Sequence, residues 1–573
     1  MTKTMTNKDW RSRLPAGLTA HWPGALAILF YLVGFAFFPF LNWLLISPLL
    51  LGVYRWVKAE DWPALLTGLL YVLCFPHARL GFLGFVCLAP VLYAALRDSG
   101  RRALWLGFLA GTVGNLGKLY WLVYTISYFS PIPFPVAVLI LLLLCSTLGL
   151  FWGLQFRLLH WAVRERRLPL WLVFPAGWVC WDFFLIWFLG GFPWEVLGDA
   201  AFHIPVYNQT LDLVGSFGLG WVFAFGNVVA VELWRFVRKE RPFPTAFAAA
   251  LAALVVAGFL YGAVRTPQIE RAMRAGRTVK VGMLQGNVDQ SIKWKAGFRE
   301  EIMENYARLA EETKNDGAEL IIMPETAIPR RQDRMMSLHP EISRYATDTE
   351  RYVLTGVPSK AIRTNVDDPR GPDIRYNSAV LISPQGDDLQ WYDKNRLVPF
   401  GEYIPKKHWL ERIAGRNITG TLNFEPSGRY ALMPFPGAPF AVFICYEAVY
   451  PSTVRRLNRL GARFLVTITN DAWFGNTSAP YQHWAQVAIR AIENRRYVAR
   501  AANTGISGII DPLGRTLMAT DLYREAELVG SVGVMELHSL YERIGDVAAY
   551  AAHAVYLIAL AVGLALSRRR GKE

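Results

Sequence analysis

Ten apolar runs recur along this chain, and they constrain its fold more than any other feature of the sequence. They lie at about 24–39, 40–56, 63–76, 81–96, 103–125, 134–158, 169–189, 214–236, 243–263 and 548–566. Several are shorter than the roughly 20 residues that a straight membrane-spanning helix needs. Only 18% of the residues are charged, whereas soluble domains average about 25%. We therefore predict a polytopic α-helical membrane bundle, and the composition excludes a disordered or collagen-like chain.

The basic residues between these runs predict how the chain is oriented in the membrane. The net charge is +15, and much of the excess lies in short Lys and Arg clusters, which are typical of cytoplasmic loops. The clusters lie at 3–13, 55–58, 97–102, 164–167, 235–241 and 568–572. The positive-inside rule fits all of them only if 24–56 folds as an additional helical hairpin. We therefore predict about nine helices within 1–263, a last helix and basic tail within 548–573, and both termini in the cytoplasm.

The long polar stretch at 264–547 is predicted to be an extracytoplasmic α/β domain. Short β-rich runs alternate there with helical patterns. The predicted strands are 279–284, 320–323, 352–357, 378–382, 440–445, 463–469 and 505–510. The predicted helices are 296–314, 339–350, 451–460 and 482–500.

Two chemically active side chains follow predicted strands of this domain, and each has two interpretations. Cys445 is the only cysteine within 264–547. It is either a buried core thiol or a nucleophile at the carboxyl end of a strand, where α/β sheets build their sites. Glu325 is either a helix cap or surface ion-pair partner, or a functional carboxylate, because an unpaired carboxylate beside a buried strand is costly.

A third candidate, Lys394, lies in a charged turn that runs into an apolar segment rich in proline and glycine. Taken alone, such a lysine is usually solvated. Together the three residues form a chemical set. The reactive form of a cysteine is the thiolate, so Cys445 needs a base, and Glu325 can be that base. An ammonium from Lys394 would stabilise both the thiolate and an oxyanion.

The order Glu, Lys, Cys resembles the catalytic triad of the nitrilase superfamily of carbon–nitrogen hydrolases. Further strings extend the resemblance to a membrane branch of that superfamily, the apolipoprotein N-acyltransferase family, over roughly 63–570. The matching strings are GFPW at 191–194, QGN at 285–287, PETAIP at 324–329, KNRLVPFGE at 394–402, CYE at 445–447 and TNDAWFG at 469–475.

The resemblance implies an α-β-β-α sandwich in the periplasm, carried by a multi-pass protein of the bacterial inner membrane. It implies transfer of an acyl chain from a phospholipid to the N-terminal amine of a diacylglyceryl-cysteine lipoprotein, the last step of bacterial lipoprotein maturation. The acyl chain would pass through a thioester on Cys445, with Glu325 as the base and Lys394 on the oxyanion. We expect a monomer in the bilayer and no nucleic-acid partner.

The same resemblance assigns roles around the triad. Donors near Glu402 and the main chain around Tyr446 would help Lys394 to hold the oxyanion, and Glu447 would position the nucleophile. Asn377 and Trp194 are predicted substrate contacts. Trp473 and Phe474 follow a predicted strand, and they either line a pocket for the acyl chain or headgroup or belong to the core.

Several interpretations stay open at this point. His483 is either a partner for Cys445 in a Cys–His dyad or a structural histidine. Lys118 and Glu195 are either functional, because buried charge in a membrane is costly, or interfacial. An amidase that uses water as the acceptor, or a transporter or receptor with a sensing domain, are the alternative functions. We expect neither a metal nor a cofactor, because no phosphate-binding glycine loop occurs and the nine histidines are scattered.

Overall fold

The computed structural model describes residues 58–362, 373–405, 412 and 423–570 of the chain. The predicted hairpin at 24–56 lies outside these residues. Helices occupy the predicted apolar runs from 63 onward, and they pack into a bundle through a shared apolar core. They are α1 (Trp62–Leu73), α2 (Ala89–Ala95), α3 (Gly100–Leu119), α4 (Leu122–Phe129), α5 (Phe134–His160), α6 (Leu170–Phe184), α7 (Leu211–Val237), α8 (Thr245–Ala275) and α14 (Val547–Arg570).

Four helices of the described residues are long and apolar enough to cross a membrane by length and composition. They are Phe134–Glu165, Tyr207–Val237, Thr245–Ala275 and Val547–Leu566. Shorter apolar helices lie before the first of them, at Trp62–Leu73 and Gly81–Ala95, and between the first two, at Leu170–Phe184, so the chain is a multi-pass membrane protein. The predicted domain boundary at 264 falls inside α8, which continues to Ala275 before the first strand begins.

The polar stretch contains two β-sheets flanked by helices. The first sheet has the order β13-β1-β2-β4-β5-β6, with β3 paired to β4, and the second has the order β12-β11-β10-β9-β8-β7. The strands are β1 (Thr278–Gln285), β2 (Leu320–Ile322), β3 (Gln332–Asp333), β4 (Tyr352–Ile362), β5 (Asp373–Ile382), β6 (Asp388–Asp393), β7 (Leu432–Met433), β8 (Phe440–Ile444), β9 (Leu465–Thr469), β10 (Val498–Ala502), β11 (Gly508–Ile510), β12 (Thr516–Ala519) and β13 (Ala526–Gly533). The helices are α9 (Arg299–Asn315), α10 (Pro340–Thr349), α11 (Pro451–Asn458), α12 (Ala479–Asn494) and α13 (Leu540–Ile544).

The layers follow from burial on both faces of the central strands. Strands β1, β2 and β4 are mutually parallel, as are β8, β9 and β10, and parallel strands buried on both faces are written as continuous apolar runs. One face of each sheet contributes to a shared core, which joins Val281 and Leu354 to Phe443 and Val466. The other face of the first sheet packs against α9 and α10. The predicted α-β-β-α sandwich is confirmed.

One predicted helix was wrong at its end. The sequence indicated a helix over 482–500, but α12 ends at Asn494, and Val498–Ala502 is a buried strand parallel to β9. Arg495 ends the helix because its φ is +51°, outside the right-handed helical region. The alanine-rich segment favours a helix locally. Pairing with β9 in the buried sheet overrides that preference.

Helix α12 connects the sandwich to the bundle. Val487, Ala488 and Ala491 on one side belong to the core of the sandwich, while Ile489 and Ile492 on the other side belong to the core of the bundle. The bundle therefore covers the outer side of the second sheet. This arrangement explains why nearly every residue of α12 is buried.

A buried ion-pair network fastens the same junction. The Arg495 guanidinium donates to the Asp212 carboxylate at 2.8 Å, to the Gln209 side chain at 2.6 Å and to the Pro512 carbonyl at 2.8 Å. Asp212, near the start of α7, also accepts from Arg265 of α8 at 3.0 Å and from a tyrosine hydroxyl. Both Asp212 and Arg495 are fully buried. A charge left alone here would have neither water nor a counter-ion.

We expect Asp212→Asn to lower the free energy of unfolding by about 3–5 kcal/mol, because it leaves two arginines near the junction without their carboxylate. Glu240→Gln is the matched control, since the Arg97–Glu240 ion pair is exposed to solvent and such pairs contribute only about 0–1 kcal/mol. Thermal unfolding in detergent measures both variants. Equal stability of the two would show that the network does not fasten the junction.

Candidate active site

Three predicted residues come together where the two sheets meet. Cys445 directly follows β8 of the second sheet, Lys394 directly follows β6 of the first, and Glu325 lies three residues beyond the end of β2. Their residual exposures are 7%, 1% and 6%, respectively. The ends of strands from both sheets thus enclose one buried group of a thiol, an ammonium and a carboxylate.

The Lys394 ammonium lies between two carboxylates. Its Nζ is 3.2 Å from Glu325 Oε1 and 3.0 Å from Glu402 Oε1. The Asn377 amide of β5 donates to the same two oxygens, at 2.6 and 2.7 Å. The other oxygens accept main-chain N–H groups, from Asn470 to Glu325 at 2.9 Å and from Val398 to Glu402 at 2.8 Å. Each oxygen of both carboxylates therefore accepts at least one hydrogen bond.

The electrostatic environment keeps the Cys445 thiol protonated at rest. Burial raises the pKa of this thiol well above its usual range, the Glu325 carboxylate raises it further, and the Lys394 ammonium lowers it. Burial by itself lowers the pKa of Lys394, but Glu325 and Glu402 outweigh burial and raise it. The lysine therefore stays charged while the thiol stays neutral. Such a cysteine reacts only if a base removes its proton during the attack.

The main chain at Cys445 is held in an uncommon conformation. Its φ is +48°, in the left-handed region that non-glycine residues rarely adopt. His483 Nε2 lies 3.1 Å from the Cys445 carbonyl oxygen, and because a carbonyl only accepts, this nitrogen carries the hydrogen. The described contacts of His483 thus reach the main chain of the cysteine, and they provide no thiol contact of the kind that a Cys–His dyad needs.

The His483 ring is in turn positioned by Asp471 and Arg500. Its Nδ1 lies 3.1 Å from an Asp471 oxygen, and the Arg500 guanidinium donates to the other Asp471 oxygen at 2.5 Å. Burial by itself raises the pKa of Asp471, but the neighbouring Arg500 guanidinium and the hydrogen bonds to Asp471 outweigh burial and lower it. The three side chains form a buried polar support beneath the cysteine.

Glu447 joins the loop of Lys394 to the turn that carries Cys445. One oxygen accepts the Asn395 N–H at 2.8 Å and the other accepts the Ile444 N–H at 2.7 Å, while the Tyr392 hydroxyl lies 2.9 Å from the carboxylate. Burial raises the pKa of Glu447 to about 7, although these hydrogen bonds lower it. The contacts join residues on either side of Lys394 to the residue before Cys445.

Tyr446 connects the site to the membrane bundle. Its hydroxyl donates to the Gly191 carbonyl at 2.7 Å, and the Tyr450 hydroxyl donates to the same oxygen at 2.9 Å. Gly191 has a φ of +99°, and a Cβ there would lie 2.4 Å from the Tyr450 hydroxyl oxygen, so the close approach requires glycine. The GFPW loop of the bundle is therefore bonded to the turn that carries the cysteine.

The predicted aromatic contacts lie between the two parts of the molecule. Trp194 is buried, donates to Gln482 at 2.9 Å, and its ring is tilted against the His483 ring with 5.9 Å between the ring centroids. Phe474 packs against Trp194 at 5.7 Å, and Trp473 packs against Phe129 of α4 at 4.7 Å. Contact of these side chains, and of Asn377, with substrate stays a prediction.

The charges predicted within the membrane region are buried. Lys118 near the end of α3 donates to the Glu195 carbonyl at 3.1 Å, just after the GFPW loop, and both side chains are buried. The lysine supports the main chain of the loop that meets Tyr446.

Lys293 is a second buried lysine at the site, and it was not among the predicted residues. Its ammonium donates to the Thr326 hydroxyl at 2.9 Å and to the Glu325 carbonyl at 3.4 Å. Burial lowers the pKa of Lys293 to about 8, and the Glu325 carboxylate raises it. No local signal marked this residue, because it lies in a loop between β1 and α9 and only the fold brings it beside Glu325.

Comparison with known proteins relates both parts of the chain to families. The carbon-nitrogen hydrolase family matches residues 280–533, and the apolipoprotein N-acyltransferase N-terminal domain matches residues 67–229. A nitrilase-superfamily amidase from Nesterenkonia AN1 is 18% identical to this chain with a TM-score of 0.34, and the alignment covers 47% of this chain and 95% of the amidase.

Full-length relatives extend over both parts together. The apolipoprotein N-acyltransferase of Geobacter metallireducens is 35% identical over 492 residues, which cover 85% of this chain and 92% of the relative. That of Azotobacter vinelandii is 31% identical over 530 residues, which cover 91% of this chain and 98% of the relative. With both domains matched in order and the buried Glu, Lys and Cys side by side, the chain belongs to the apolipoprotein N-acyltransferase family.

Proposed function

We propose that this protein transfers an acyl chain from a phospholipid to the N-terminal amine of a diacylglyceryl-cysteine lipoprotein, through a thioester on Cys445. The observation that carries the proposal is the buried group of Glu325, Lys394 and Cys445, which is bonded to a loop of the membrane bundle. A site bonded to the bundle favours substrates held in the bilayer. Membership of the family supports the same reaction.

In the first half-reaction, Glu325 takes the proton of the Cys445 thiol as its sulfur attacks an ester carbonyl of the phospholipid. The resulting oxyanion is stabilised by the Lys394 ammonium and by main-chain donors near Tyr446. When the tetrahedral intermediate collapses, the ester C–O bond breaks and Glu325 returns the proton to the departing alkoxide. A lysophospholipid leaves, and an acyl thioester remains on the cysteine.

In the second half-reaction, the amine of the lipoprotein attacks the thioester carbonyl. Glu325 takes a proton from the amine, the C–S bond breaks, and the proton passes to the Cys445 sulfur. The products are an amide and the resting thiol. The amide is more stable than the thioester, so the transfer runs forward, and splitting it in two replaces one hard step by two easier ones.

The remaining polar groups are assigned to positioning. Asn377 and Glu402 hold the Glu325 carboxylate and the Lys394 ammonium, and Glu447 holds the loop of Lys394 against the turn of Cys445. Water must be excluded from the thioester, because hydrolysis would convert the enzyme into an amidase. The burial of the site, against the bundle, supports transfer rather than hydrolysis.

The proposed topology places 264–547 in the periplasm as the catalytic domain, with 1–263 and 548–573 anchoring it in the bacterial inner membrane and both termini in the cytoplasm. The distribution of Lys and Arg supports this orientation. The protein would meet both lipid substrates from the bilayer and act as a monomer.

We expect purified protein incubated with phospholipid alone to gain the mass of one acyl chain, removable by neutral hydroxylamine. Cys445→Ala should gain none, because the thioester sulfur is missing. Cys180→Ala, which alters a cysteine of α6, is the matched control and should acylate normally. Intact mass spectrometry measures all three. Acylation of Cys445→Ala would place the intermediate elsewhere, and a diacylglyceryl-cysteine peptide should discharge the wild-type adduct as an amide.

Glu325→Gln should slow acyl-enzyme formation by roughly 100- to 10,000-fold, the usual contribution of a general base. The amide keeps the shape of the carboxylate, so the fold should persist. Rapid-quench mass spectrometry gives the rate, and the control is Glu341→Gln, a partly exposed carboxylate of the same domain. A rate within a few-fold of wild type would remove Glu325 from the role of base.

Lys394→Met should move the pH dependence of Cys445 alkylation by about 1–3 pH units to higher pH. The sign follows from charge: the Lys394 ammonium lowers the pKa of the thiol, so its loss raises that pKa and less thiolate is present at any given pH. Iodoacetamide labelling between neutral and alkaline pH measures the curve. Lys360→Met, on the partly exposed part of β4, is the control. An unshifted curve would show that the Lys394 ammonium does not lower the pKa of the Cys445 thiol.

A further inference from the structure

Arg396 lies two residues after Lys394, and its guanidinium lies over two aromatic rings. The guanidinium carbon is 4.8 Å from the centroid of the Tyr450 ring and 5.6 Å from that of Trp187. Its main-chain N–H donates to Glu447 at 3.3 Å, so the same carboxylate that positions the lysine loop also positions this residue. The side chain is half-buried.

The guanidinium has no carboxylate partner among residues 58–362, 373–405 and 423–570. Its described contacts are the two rings, whereas Arg334 in the same sheet region is paired with Asp393. An arginine carries up to five donors and remains charged at any physiological pH. The two rings hold the guanidinium in place without neutralising its charge, which an anion would do.

The position of Arg396 points to the surface of the membrane. Trp187 lies just beyond the end of α6 and is 62% exposed, as expected for an aromatic residue at the headgroup level of a bilayer. Tyr450 shares the Gly191 carbonyl with Tyr446, the residue next to the nucleophile. Through Tyr450 and Trp187, Arg396 therefore lies between the turn that carries Cys445 and the boundary of the bundle, where a bilayer would place lipid phosphates.

We propose that Arg396 binds the phosphodiester of the phospholipid acyl donor. The inference rests on the proposed function and adds the residue that recognises the donor. A guanidinium matches phosphate oxygens with two parallel hydrogen bonds, and its charge complements the phosphodiester. In a phospholipid the glycerol joins the phosphate to the ester carbonyl, so one loop carrying Lys394 and Arg396 contacts both ends of the reacting group.

This assignment separates the two half-reactions. The phospholipid donor carries a phosphodiester, but the amine of a diacylglyceryl-cysteine peptide brings none. Loss of Arg396 should therefore impair loading of Cys445 and leave discharge of the thioester intact. A merely structural role would impair both steps.

The test compares two acyl donors on the full-length protein in detergent. With phospholipid, we expect Arg396→Gln to slow acyl-enzyme formation at subsaturating donor by roughly 10- to 100-fold, the loss typical of one charge-assisted pair. With p-nitrophenyl palmitate, an activated ester that has no phosphate, the variant should load at the wild-type rate. Once loaded, it should transfer the acyl chain to a diacylglyceryl-cysteine peptide as fast as wild type.

Arg456→Gln is the matched control, since Arg456 stacks on Tyr430 at 4.3 Å and is exposed on α11. It should behave as wild type with both donors. Equal loss with both donors in Arg396→Gln, or no loss with phospholipid, would overturn the inference.

Two further outcomes separate this inference from the proposed function. Wild type that is never acylated by phospholipid overturns the proposed function and this inference with it. Wild type that is acylated, with an unimpaired Arg396→Gln, overturns the inference alone. Arg396→Lys keeps the charge without the planar edge, so it should recover part of the loading rate if the phosphodiester is the ligand.

Discussion

The burial of one ammonium between two carboxylates is the interaction on which the active site depends. Lys394 is almost fully enclosed, and without Glu325 and Glu402 its charge would be too costly to bury. The carboxylates in turn are held by Asn377 and by main-chain N–H groups. This balance lets a charged lysine and a carboxylate lie beside the Cys445 thiol in a buried site.

The second constraint is that the turn that carries Cys445 is hydrogen-bonded to the membrane bundle. The carbonyl of Gly191 receives hydrogen bonds from Tyr446 and Tyr450, and the Asp212–Arg495 pair fixes the far side of the same junction. The turn that carries Cys445 therefore has a defined position relative to the bundle. A soluble amidase has no need for such a junction, whereas an enzyme that takes an acyl chain from one lipid and passes it to another has.

Much of the site could be predicted because two of its reactive side chains follow apolar strand segments of the sequence. Glu325 and Cys445 follow short apolar runs, and such runs are reliable signals for buried strands. Other parts could not be predicted from local pattern. Lys293 lies in a loop without periodicity, and β10 is alanine-rich and favours a helix in isolation. Only pairing with β9 makes that segment a strand.

The sequence by itself determined that the chain is a membrane bundle joined to an α/β domain, and it predicted the residues that the structure brings together at the candidate site. Hydrophobic runs, charge clusters and residue types are local properties, so they can be recognised along the chain. Tertiary structure decided that Glu447 joins the lysine loop to the cysteine turn, that His483 holds the carbonyl of Cys445 and that Arg396 stacks between Trp187 and Tyr450. These contacts join residues far apart along the chain, and distance along a chain does not specify proximity in a fold.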